Sequence, residues 1–111
     1  TMIKRVATLP EATAALQACG DDDLELWSPE NAAEIQGVMW FVMLHRALNS
    51  AFPERPPRLV LDCGNRGDLA IEAFRNGLKD VALKASPAVE AKVADVALSC
   101  GGRVIRNPIF S

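Results

Sequence analysis

The chain has no tyrosine, one histidine and only three cysteines among its 111 residues. Each scarcity excludes something. His45 is the sole imidazole, and Cys19, Cys63 and Cys100 lie far apart without a CxxC pair. Neither a zinc site built from Cys and His nor a disulfide framework is expected from that pattern. Two Trp and four Phe, not interleaved with basic residues, provide no stacking platform for single-stranded nucleic acid. A formal net charge of −2 and a pI near 5.3 leave no general positive surface for nucleic acid or anionic membranes. The longest apolar run, Val38 to Leu44, is far shorter than a bilayer-spanning helix. No secretory leader is visible, so a cytoplasmic location is expected. Neither G-x-G-x-x-G nor G-x-x-x-x-G-K-[ST] occurs. No catalytic constellation, metal site or cofactor is expected on these grounds.

What is present reads as one α/β domain over residues 1–111. Half of the residues are hydrophobic and 23% are charged, ordinary usage for a chain that buries its own core. Thr8-Leu9-Pro10-Glu11 fits a capping box, and Leu9, Ala12, Leu16 and Cys19 follow at helical spacing up to Gly20. Asp21 to Asp23 read as a solvated turn, and Leu24 to Trp27 as a strand. Ser28-Pro29-Glu30 opens a second helix, with Ser28 as N-cap, that is expected to run to about Ser50. Three prolines between Phe52 and Pro57 make a rigid connection into a strand over Leu59 to Asp62. Gly67 or Asp68 starts a third helix, Asp80 to Lys84 forms another strand, and Ser86-Pro87 repeats the Ser-Pro helix start. Arg103 to Arg106 reads as the last strand, stopped by Pro108, and Ile3 to Thr8 as a strand at the beginning.

Strand starts at 59, 81 and 103 mark a repeated β-turn-α unit. Such alternation predicts right-handed crossovers and a mainly parallel sheet of four to five strands. A three-layer αβα sandwich, with helices on both faces, is the expected architecture, and a fragment of a (β/α) barrel is its alternative. The order of the strands is not deducible.

In a parallel sheet the strand carboxyl ends share one edge, where ligands commonly bind. That edge would present Ser28, Asp62 to Asp68, Lys84 and Ser86, then Arg106 and Asn107. Helix N-termini there favour anions. Asp62, Cys63, Asn65, Arg66, Asp68, Lys84 and Ser86 therefore form the expected ligand-binding set, with an anionic metabolite as its ligand. The plainer account makes Asn65, Gly67 and Asp68 turn and cap residues and Asp62 a partner of Arg66 or of backbone N–H groups. Cys63 would need a depressed pKa to act as a nucleophile, and no spacing brings His45 beside it.

Val38 to Leu44 is apolar around nearly two helical turns, whereas a helix covering one sheet face should have a polar side. Another element, a ligand or another subunit must cover it. Val38, Trp40, Phe41 and Leu44 are the expected interface residues. The expected function is a non-catalytic binding or regulatory module that self-associates, as a homodimer, through the 38–44 helix, with another protein as a second candidate partner. The alternative is a small-molecule binding protein or small enzyme that takes an anionic metabolite at the strand carboxyl ends around Asp62–Asp68.

Arg58-Leu-Val-Leu-Asp62, followed by a turn and a helix, resembles the central strand of STAS-type anti-sigma-antagonist domains, over about a third of the chain. That resemblance implies a phosphorylatable Ser or Thr in the turn after the strand. Here the turn is Cys63-Gly-Asn-Arg-Gly-Asp68, which has no hydroxyl, and a helix stands where the family has leading strands.

Overall fold

The structure, a computed structural model, describes residues 2–106. Asn107 and Pro108 lie outside the described residues. Ten elements follow one another: β1 (Met2–Arg5), α1 (Leu9–Cys19), β2 (Leu24–Trp27), α2 (Ala32–Ile35), α3 (Val38–Ala51), β3 (Arg58–Asp62), α4 (Gly67–Arg75), β4 (Asp80–Ala82), α5 (Pro87–Cys100) and β5 (Arg103–Ile105).

Local chemistry accounts for most boundaries. The amide of Glu11 donates to Thr8 Oγ1, and the Glu11 carboxylate accepts from the Thr8 hydroxyl and the Ala7 amide, so the capping box is formed. The Ser86 hydroxyl accepts from the Val89 amide at the start of α5. Gly101, in the left-handed region, ends that helix.

The expected single helix from Ser28 to about Ser50 is instead two helices. Asn31 enters the left-handed region at φ 55° and precedes the four-residue α2, and Gly37 then adopts φ 95° before α3 begins. Only glycine takes the latter without strain, so Gly37 is a joint rather than a helical residue. Ser28 does not cap α2. It is fully buried, its hydroxyl accepts from the Asp62 amide at 2.8 Å, and it donates to the Pro29 carbonyl at 3.0 Å. A long-range contact has taken the side chain that local capping would have used.

All five strands are parallel, in the spatial order β1-β2-β3-β4-β5. This order corrects the expected layering while keeping the α/β class and the parallel sheet. Right-handed crossovers that always step in one direction fall on one side of a sheet; a third layer requires the order to reverse. Buried residues of the helices share one cluster with Leu26, Leu59, Leu61 and Val81, from one face of the strands. Trp27, Val60 and Ala82 form a second cluster on the other face, joined by Ile3 and Ile105, and it contains no helix residue among those described. Among the described residues, one helical layer therefore covers one face of the sheet.

The second face also carries a closed circuit of charge. Glu25 lies beside Arg58 in the β2–β3 register, and Asp80 beside Arg103 in the β4–β5 register. The Arg103 guanidinium donates to Asp80 at 2.9 Å and reaches Glu25 at 3.4 Å; Arg58 lies 3.6 Å from each of the same two carboxylates. Glu25 also accepts from the Trp27 indole. Alternating signs across four strands pair charges that would each be costly to hold alone on a sheet face.

Candidate functional site

The carboxyl edge of the sheet does gather the expected residues, since parallel pairing places the ends of β3 and β4 side by side. Its chemistry is largely satisfied from within. Asp62 is buried and accepts from the Gly64 amide at 2.9 Å, while Arg5 stands 3.8 Å from its other oxygen. Asn31 lays its side chain over Gly64, leaving no space there for a Cβ. The turn is tied down further by the Lys84 amide, which donates to the Gly64 carbonyl.

Arg66, the expected anion-binding group, is held by Asp68 through two hydrogen bonds, at 3.0 and 2.9 Å, and also reaches Glu34 at 3.4 Å. Hydrogen bonding to Asp68 raises the Arg66 pKa and, reciprocally, lowers that of Asp68. Asn65, Lys84 and Ser86 are exposed, and the Ser86 hydroxyl is spent on its own helix. Arg106 pairs with Glu90.

Cys63 is buried, and burial pushes its thiol up to about 12, with Asp62, Asp68 and Glu72 adding to the effect. A thiol in that state is not a nucleophile at neutral pH. His45 lies on α3, half-buried, where burial lowers its pKa against the opposing field of Asp80. No group of three or more His, Cys, Asp or Glu placed to hold a metal exists among the described residues.

The sequential strand order removes a further support from this edge. Crevices at the carboxyl end of open α/β sheets form where the strand order reverses, and the five strands here never reverse. The two cavities described lie elsewhere. One, of about 470 Å³, sits at the opposite edge, between the end of α1 and the proline-rich connection that carries Arg55. The other, of about 720 Å³, is an apolar groove between the start of α1 and the outer side of α3.

That groove answers the question posed by the apolar run. Val38, Phe41, Val42 and Leu44 point into the core, so three of the four expected interface residues pack inside the domain. Trp40 stays at the surface, 52% exposed, flanked by Met39 at 47% and Met43 at 55%. Leu9 and Pro10 line the α1 side, and no charged side chain lines the groove; Thr8 and Gln36 are its only polar members. Ile35, at the end of α2, is 75% exposed and lies four residues before Met39. Met39 and Met43 were visible in the apolar run. Leu9 and Pro10 were legible only as parts of the start of α1, because the groove exists only once α1 is laid beside α3.

No helix among the described residues is long and apolar enough to cross a membrane. Comparison of the chain with protein-family models, with curated proteins and with solved structures gave no match.

Proposed function

We propose that this chain is a non-catalytic interaction module that pairs with a second copy of itself through the α1/α3 groove. The observation that carries this reading is the half-exposed row Met39, Trp40 and Met43 on α3. Trp and Met are enriched in interface cores. The polar atom of Trp40 adds no cost, since its indole N–H already donates to the Ala7 carbonyl at 2.6 Å.

The uncharged lining favours a second copy as the occupant. A twofold contact sets each residue near its own image, so a charge close to the axis meets a like charge. None of the residues that line the groove is charged. Free Cys19, Cys63 and Cys100 accord with a reducing, cytoplasmic setting. Binding of an anionic metabolite at Asp62–Asp68 would require the anion to compete with Asp68 and Glu34 for Arg66.

Size-exclusion chromatography with light scattering tests the reading. A dimer is expected at micromolar concentration, with Trp40→Glu monomeric and its circular dichroism retained. A monomeric native chain, or a dimer indifferent to Trp40→Glu, removes the proposal.

A further inference from the structure

We infer that Met39 and Met43 are a paired oxidation site whose conversion to sulfoxide releases the self-association proposed above, on which this inference rests. All three methionines of the chain are exposed to solvent: Met2 at 51%, Met39 at 47% and Met43 at 55%. Their surroundings differ. Met2 lies on β1, whereas Met39 and Met43 stand one turn apart on α3 and line the apolar groove on either side of Trp40 in sequence.

The co-reactant is hydrogen peroxide. A sulfur lone pair attacks one of its oxygens, the O–O bond breaks and an S–O bond forms, and the proton of the transferred oxygen passes to the departing one, which leaves as water. Sulfur loses two electrons and the peroxide gains them. The product is a polar, strongly accepting side chain where an apolar one had lined the groove. At Met43 a donor is already in place, since the Arg46 guanidinium reaches the sulfur at 3.8 Å. An oxygen added to Met43 would stand beside that cation at the exposed side of α3. Seating a polar, hydrated sulfoxide against the apolar lining of a second copy strips its water, a penalty that weakens association roughly tenfold for each sulfoxide.

The test compares dissociation constants by analytical ultracentrifugation before and after mild hydrogen peroxide. The peroxide is quenched and dithiothreitol added, which reverses sulfenic acid and disulfide formation at the cysteines but leaves sulfoxides intact. Mass spectrometry counts oxygen at each methionine. The native dimer is expected to weaken by an order of magnitude or more, and methionine sulfoxide reductase to restore it. Met2→Leu is expected to respond as the native chain does. Met39→Leu/Met43→Leu, whatever its starting constant, is expected to show the same value before and after treatment. A native dimer that keeps its constant with both groove sulfoxides present overturns this inference alone, as does a double leucine variant that also weakens. A native chain that is monomeric before treatment overturns the dimer and this inference together.

Discussion

The indole N–H of Trp40 donates to the main-chain oxygen of Ala7 at 2.6 Å across 33 residues of sequence. This bond fixes the ring at the mouth of the groove and ties α3 to the connection between β1 and α1. Trp40→Phe keeps most of the apolar surface but removes the donor. It is expected to lower stability by about 0.5–1 kcal/mol in urea unfolding, the usual net worth of a half-exposed hydrogen bond. An unchanged midpoint would mean that the tether contributes nothing.

Ser28 holds the opposite kind of position, fully buried where β2 ends and β3 continues. Its hydroxyl satisfies the Asp62 amide, and its carbonyl accepts from Arg5 at 2.6 Å. Ser28→Ala removes the hydroxyl that accepts from the Asp62 amide inside the domain. A loss of roughly 1–3 kcal/mol is expected by denaturant unfolding, the cost of removing one partner of a buried hydrogen bond.

Gly102 precedes β5 where the chain runs against Phe74. A Cβ there would stand 2.6 Å from the Phe74 ring and 3.1 Å from the Lys79 carbonyl oxygen. Phe74 is a core residue, and main chain cannot move aside, so Gly102→Ala overpacks the site. It is expected to destabilise by about 1–3 kcal/mol in thermal or urea unfolding. The reverse sign would show that the β5 turn yields.

The half-buried imidazole of His45 makes stability depend on pH. Burial holds its pKa below the ordinary 6.5, with Asp80 pulling it up and Lys79 adding to the depression. The unfolded chain therefore takes up this proton first as pH falls through about 6.5. Stability is lost from there down to the lower pKa of the folded state. Between about pH 7.5 and 5.5 the native melting temperature should fall more than that of His45→Gln. Parallel curves for the two proteins would exclude His45 as a source of the dependence.

Much of the fold was legible because its signals are local. The Thr8–Glu11 box and Ser86 cap are made within one helical turn, and strand positions followed from alternation and glycine stops. The expected single helix runs through Asn31 and Gly37, whose positive φ angles depend on the folded chain and leave no mark in the apolar run that follows. That the ends of β3 and β4 lie side by side was legible, since parallel strands end together. The saturation of that edge was not legible, because the partners of Arg66 include Glu34, 32 residues away.

The residues of α3 separate the two kinds of information most clearly. Composition alone required that some apolar atoms of Val38–Leu44 be covered by more than one sheet face. Only the packed structure divided them, sending Phe41 and Leu44 inward and leaving Met39, Trp40 and Met43 against the start of α1. The sequence by itself determined the α/β class, the parallel strands and most helix ends, because period and capping depend on near neighbours. The order β1-β2-β3-β4-β5, the single helical layer and the groove were decided by tertiary structure, because each depends on which distant segments share a boundary.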